Sequence, residues 1–166
     1  LHHHSELGEF FLSSDSVMQS FTRWKSMQHI VGQLPEESNE AFRTIGYTIG
    51  AMLVFPSNRV GGLATINGAR GLNRSIADRL DLTLECIRRH YLGEASPLAD
   101  TLDRYADFFA LFGDFGGYVT FFLLDDLVDE RGAIRFFHPF DGFGSSGAPN
   151  DLAGYVDFRA RSIAFI

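Results

Sequence analysis

The segment spanning residues 76–92 has the most regular hydrophobic pattern in the chain, and it predicts a long amphipathic α-helix. Apolar residues recur there at every third or fourth position, which places them along one narrow face of a helix. These residues are Ile76, Leu80, Leu84, Ile87 and Tyr91. Ser75 precedes the pattern as a candidate N-cap, and Gly93 follows it as a residue that ends helices. Because a helix must bury such a face, we expect this one to lie in the core.

The rest of the chain combines patterns typical of helices with patterns typical of strands. The further predicted helices cover residues 21–34, residues 96–113, residues 115–128 and a segment that starts at Asp151. The predicted strands lie in residues 8–17, in residues 41–55 (two strands or one long bent strand) and in residues 133–137. Residues 36–40 are expected to be a solvated break, and residues 56–73, with four glycines, a long loop. We therefore predict an α+β single domain in which a small antiparallel sheet packs against four or five helices.

Length and composition favour a cytoplasmic globular protein. A chain of 166 residues is long enough to bury a core of its own. No apolar run approaches the ~20 residues that a membrane-spanning helix needs, so we expect no membrane segment. The one cysteine, Cys86, excludes an intramolecular disulfide and suits a reducing compartment.

The chain holds 17 Phe, an unusually high content beside 5 Tyr and 1 Trp. Phenylalanine offers apolar area without a polar group, so this content indicates a thick core or a buried interface between copies. One hypothesis for function is therefore a non-enzymatic module whose Phe-rich surface forms a homodimer or binds a partner protein.

Positive charge is concentrated between residues 59 and 90, a segment that contains six arginines and three acidic residues. This window carries +3 in a chain of net charge −7, so the remaining residues carry −10. Arginine and amide side chains donate to phosphate oxygens, and glycines let a backbone approach a ligand closely. The candidate ligand-binding residues are Arg59, Asn67, Arg70, Asn73, Arg74 and Arg79.

This pattern predicts a site for a phosphate-bearing small molecule, a nucleotide or RNA. The glycine spacing matches neither a Walker loop nor a dinucleotide fingerprint, so no reaction is indicated. Substitution of Arg70 or Arg74 by alanine is expected to weaken ligand binding and to leave the melting temperature nearly unchanged. The alternative is that Arg70, Arg74 and Arg79 pair with acids of the chain and that the asparagines and glycines only form turns.

Three other groups of residues could carry chemistry, each with an ordinary structural explanation. Cys86 and His90 lie one helical turn apart, although a buried, inert thiol is the commoner case. His4, Glu6 and Asp15 would serve a metal-dependent hydrolase, a further alternative for function. The acidic residues between positions 125 and 130 could bind a metal but are typical of a solvated turn.

Several long strings resemble an uncharacterised bacterial family, filed as a domain of unknown function. They include TINGARG at residues 65–71 and DLTLECIRRHY at residues 81–91, and the resemblance extends over nearly the whole chain. It implies a bacterial protein in which the histidines at positions 2–4 are native. It also implies that the full protein continues at both ends. It brings no activity, substrate or catalytic residue.

Overall fold

The computed structural model describes residues 2–4, 8–10, 12–16, 33, 35–45, 52–73, 75–76, 79–136, 140–143, 157 and 160–161. Four short strands lie in these ranges: β1 (His2–His4), β2 (Gly8–Phe10), β3 (Leu12–Ser16) and β4 (Met52–Pro56). The α-helices there are α1 (Glu36–Ile45), α2 (Ile66–Leu72), α3 (Leu80–Leu92), α4 (Ala99–Asp103), α5 (Ala106–Ala110) and α6 (Phe115–Phe121). The prediction of mixed helix and strand is therefore confirmed. The helices predicted over residues 21–34 and from Asp151 lie almost entirely outside the described residues.

The described strands form two antiparallel pairs. β1 pairs with β2, and β3 pairs with β4 so that Leu12 lies opposite Pro56 and Ser16 opposite Met52. Leu53 and Phe55 of β4 are buried, as the twofold alternation of a strand requires, and β4 packs against α2. A single small sheet under the helices stays a prediction.

Residues 36–45 form helix α1, so the predictions of a solvated break at residues 36–40 and of strand at residues 41–45 are wrong. The predicted strand at residues 52–55 does form, as part of β4. The Asn39 amide donates to the Pro35 carbonyl at 3.2 Å, and Glu36 and Glu37 occupy the first turn. Acidic side chains there stabilise the positive end of a helix, and glutamate is itself a good helix former. The same charged residues that indicated a break therefore begin a helix.

The predicted loop at residues 56–73 contains helix α2, which is a second correction. The Thr65 hydroxyl oxygen accepts a hydrogen bond from the Gly68 amide at 3.2 Å and caps the first turn. Ile66 and Arg70, four residues apart, are both buried. Burial of this face compensates for the low helix propensity of glycine. The sequence pattern alone does not show that this face is buried.

Helix α3 confirms the predicted buried helix, although it begins at Leu80 instead of Ile76. Arg79 is the N-cap residue, and Ile76 lies in a preceding turn whose carbonyl accepts from the Arg79 amide at 3.0 Å. Gly93 ends the helix with φ +67°, as predicted. All residues from 80 to 87 are buried, and α3 packs against α4 and α6, so α3 is surrounded over its first two turns.

The helix predicted over residues 96–113 is divided into α4 and α5. The two helices are separated by a turn at Arg104 and Tyr105, and Gly113 follows with φ +76°. The apolar spacing predicts the residues that are buried here, which are Leu98, Leu102, Tyr105 and Phe109.

The segment at residues 115–128 is helical over its first half, as α6. Asp114 caps it by accepting from the Gly117 amide at 2.8 Å. A short 3-10 turn at Asp125–Leu127 follows. In the segment predicted as a strand, Ile134 forms an isolated bridge to Val128.

Aromatic rings join α3, α5 and α6. Tyr118 lies at the centre, with ring centroids 4.7 Å from Phe122, 5.3 Å from Phe112 and 5.9 Å from Phe109. Within the described part of the chain, no helix is both long and apolar enough to cross a bilayer.

Candidate anion-binding site

Arg70 is positioned by α2 so that its guanidinium enters the core against α3. The side chain is among the largest that are fully buried, with 1% of the residue exposed. Its Nε donates to the Thr83 hydroxyl oxygen at 2.9 Å, and that hydroxyl donates to the Arg79 carbonyl at 2.7 Å. Arg70 therefore links α2 to the first turn of α3.

Arg79 forms a buried, two-pronged ion pair with Asp81. Its Nε donates to Asp81 Oδ1 at 3.0 Å and its Nη2 to Asp81 Oδ2 at 2.6 Å. The same Oδ1 accepts from the Leu82 amide at 2.9 Å. Both side chains are almost inaccessible to solvent. Both ions keep charge-assisted hydrogen bonds after leaving water, so removal of either partner would leave a buried, unpaired charge. The charge of Arg79 is therefore balanced inside the protein.

The two predicted amide residues are also built into the fold. Asn73 Oδ1 accepts from the Ser75 amide at 2.9 Å, and its Nδ2 donates to the Pro97 carbonyl at 3.4 Å. Asn73 therefore connects the end of α2 to the segment that precedes α4. Asn67 lies half-buried on α2.

Arg59 differs from these residues because it is exposed. It lies beside a tight turn in which the Leu63 amide donates to the Val60 carbonyl at 3.2 Å. The two central residues, Gly61 and Gly62, have φ +62° and +72°. Positive φ at both central positions is the mirror-image turn that favours glycine. We call residues 58–64 the Arg59 turn.

The Arg59 turn is held at both ends by the α4–α5 junction. The Tyr105 hydroxyl donates to the Asn58 carbonyl at 2.8 Å, and Arg104 Nη2 donates to the Ala64 carbonyl at 3.1 Å. Arg104 also donates to the Asp100 carbonyl at 3.0 Å. An exposed loop that carries an arginine is thus fixed to the core by two side chains.

Two further arginines of the positive window, Arg88 and Arg89, share one carboxylate. Their Nε atoms lie 2.8 Å and 2.7 Å from the Glu85 oxygens. Burial pushes the pKa of Glu85 upward, but the hydrogen bonds from the two guanidiniums outweigh burial and lower it. Of the arginines predicted to pair with acids, Arg79 is confirmed by its bond to Asp81, and Arg88 and Arg89 form further pairs of the same kind.

The six predicted site residues thus separate into different settings. Arg70 and Asn73 bind neighbouring segments of the protein, and Arg79 pairs with Asp81. Asn67 is half-buried, Arg59 faces solvent, and Arg74 lies outside the described residues. Their role in ligand binding stays a prediction.

The sequence analysis missed one polar group beside this network, the Tyr118 hydroxyl. Tyr118 is fully buried, and its hydroxyl has no hydrogen-bond partner among the described residues. Burial raises the pKa of Tyr118, and the nearby charge of Arg70 opposes that rise. The sequence does indicate this group, because Tyr118 stands in a Phe-rich segment where phenylalanine would fill the same space without a hydroxyl.

The other groups that could carry chemistry have structural roles. Cys86 is buried, as predicted, and burial raises the pKa of its thiol to about 12. Nδ1 of His90 lies 3.1 Å from Asp103. Asp129 accepts from the Arg131 and Ala133 amides, so the acidic segment forms a solvated turn as predicted.

The described residues provide no metal centre. Within them, no group of three or more His, Cys, Asp and Glu residues could hold a metal ion. Of the residues considered for a hydrolase, His4 lies in β1 and Asp15 in β3, while Glu6 lies outside the described residues.

Comparison with known proteins places the chain in a family. It belongs to a family of unknown function (DUF6994), which matches residues 1–166. The resemblance found in the sequence is therefore confirmed. No curated protein and no solved structure matches the chain.

Proposed function

We propose that residues 1–166 form a single cytoplasmic α+β domain of a bacterial protein that binds a phosphate-bearing ligand, a nucleotide or RNA. Arg59 makes the first contact, and the Arg59 turn is the binding element. The observation that carries this proposal is the exposure of Arg59 on a turn that Arg104 and Tyr105 fix at both ends.

A fixed turn is suited to binding because little backbone freedom is lost when a ligand arrives. The guanidinium of Arg59 can donate two parallel hydrogen bonds to one phosphate. Gly61 and Gly62 leave open space where side chains would otherwise stand. The acidic remainder of the chain repels phosphates elsewhere, so the positive window is the favoured place of encounter.

The buried arginines support this element instead of contacting the ligand. Arg70 holds α2 against α3, Arg79 pairs with Asp81 at the start of α3, and Asn73 holds α2 to the segment before α4. The ligand-binding set is thereby narrowed to Arg59 and those residues of positions 59–79 that reach solvent.

The test is a binding titration with a labelled nucleotide and a labelled short RNA at low salt. Arg59→Ala should weaken binding at least about tenfold, or about 1.4 kcal/mol, without changing the melting temperature. Arg59→Lys should recover part of the loss, because it keeps the charge but not the paired donors. Binding should fall steeply with added salt.

Arg135→Ala is the matched control, since Arg135 is exposed and lies outside the positive window. It should bind as the unmodified protein does. Equal binding by Arg59→Ala and the unmodified protein, or no binding of either probe by the unmodified protein, would contradict the proposal.

A further inference from the structure

The end of α6 presents two large apolar side chains to solvent. Phe121 is 68% exposed and Leu123 is 74% exposed. Neither position is explained by packing, although the ring of Phe121 lies against Phe112 and Phe122. Exposed apolar groups placed side by side are typical of contact surfaces.

The backbone at Leu123 is also unusual. Its φ is +57°, and among the described residues it is the one non-glycine with positive φ. Leucine is disfavoured in this conformation, and such strain concentrates at functional positions. Glycine would suit the backbone better, so the leucine side chain itself needs an explanation.

Acidic residues border this apolar pair. Asp125 and Asp126 follow within three residues, and both are exposed. We call Phe121, Leu123, Asp125 and Asp126 the α6 knob. An anionic lipid surface would repel it, whereas an apolar surface bordered by positive charge would complement it.

The chain itself carries a surface of that kind. In the Arg59 turn, Leu63 is 54% exposed. Arg59 is exposed beside it, and Arg104 is anchored on the adjoining Ala64 carbonyl. The turn therefore joins an exposed leucine to the exposed Arg59, as the α6 knob joins exposed apolar groups to two aspartates.

We propose that the α6 knob docks onto the Arg59 turn of a second copy of this chain. In a twofold dimer each copy supplies one knob and one turn, so the same contact forms twice. One such contact is small, and a symmetric pair doubles the buried area. The expected association is therefore weak, in the micromolar range, and sensitive to salt.

This inference goes beyond the proposed function, and the two proposals share one residue, Arg59. Because Arg59 would serve both contacts, a phosphate-bearing ligand and the second copy compete for the Arg59 turn. The α6 knob takes no part in ligand binding, so its variants separate the two proposals.

The experiment is sedimentation equilibrium from low micromolar to several hundred micromolar protein. The weight-average mass should rise from monomer toward twice that value. Leu123→Gly should weaken association at least about tenfold while folding normally, because glycine suits the left-handed backbone. Leu92→Ser is the matched control at another exposed leucine and should associate as the unmodified protein does.

A charge exchange tests the pairing of the two surfaces. Asp125→Arg with Asp126→Arg, and separately Arg59→Asp, should each abolish association. A mixture of these two variants should restore it, because each reversed surface then meets its complement on the other copy.

Three results would overturn the inference. They are a monomer at every concentration, a dimer that Leu123→Gly leaves unchanged, and a mixture that fails to associate. Loss of ligand binding in Arg59→Ala with unaltered association would count against a shared turn while leaving the proposed function intact.

Discussion

Replacement of Arg70 by alanine should destabilise the protein strongly, contrary to the expectation for an exposed ligand-binding arginine. The side chain is 1% exposed, so truncation empties core volume instead of surface. Large-to-small substitutions in cores cost about 2–5 kcal/mol. The lost hydrogen bond from the guanidinium to Thr83 adds about 1.5–3 kcal/mol. Since such contributions overlap, we expect a loss of about 3–6 kcal/mol in the free energy of unfolding.

Urea unfolding followed by far-ultraviolet circular dichroism measures this loss. Arg59→Ala is the matched control and should change the free energy of unfolding by less than about 0.5 kcal/mol, as exposed substitutions do. Arg70→Met fills most of the volume without a buried charge and should lose clearly less than Arg70→Ala. A loss below about 1 kcal/mol for Arg70→Ala would refute the reasoning from burial.

Three further predictions concern packing, reactivity and pH. A Cβ at Gly117 would overlap the Phe112 carbonyl oxygen, so Gly117→Ala should lower the free energy of unfolding by about 1–3 kcal/mol. Gly116→Ala in the same helix should cost clearly less in the same urea titration, because its Cβ would meet only the Asp114 side-chain oxygen, at 3.3 Å. The thiol of Cys86 should resist a thiol reagent in the folded protein and react fully in denaturant; fast labelling under native conditions would be inconsistent with its burial. Because the pKa of Glu85 is lower in the folded protein than its ordinary value of 4.5, its stabilising effect is complete above that pH and is lost as pH falls below it. Unfolding measured from neutral to acid pH should therefore show a shallower loss of stability for Glu85→Gln, and an unchanged slope would contradict the ion pairs.

The parts of the fold that the sequence predicts are those in which pattern and burial agree. In α3 the apolar spacing, the acidic first turn and the final glycine all indicate the same helix, and it forms. α1 and α2 were missed because their local signals are ambiguous. A run of glutamates suits either a solvated segment or a helix start, and the glycines of α2 are offset by the burial of Ile66, which depends on residues far along the chain.

The candidate site was predictable as a region and not residue by residue. Charge counting locates the positive window, since it depends on composition alone. It does not distinguish Arg79, whose partner is Asp81 two residues later, from Arg59, which faces solvent. Which arginines are buried depends on which sides of α2 and α3 face the core. The packing of the two helices decides this, and the sequence alone does not show it.

The same packing determines which arginines of the positive window are already paired within the protein. Ion pairs with Asp81, Glu85 and Glu94 balance three of the arginines in the window, Arg79, Arg88 and Arg89, within the protein's own structure. Those pairs stabilise the α3 region without attracting outside anions, because the field of a closed pair falls off quickly. In the proposed function, recognition of the ligand therefore falls to Arg59, which is exposed on its fixed turn. Ligand binding and self-association would then draw on one exposed guanidinium, so either process should weaken the other in a titration that contains both.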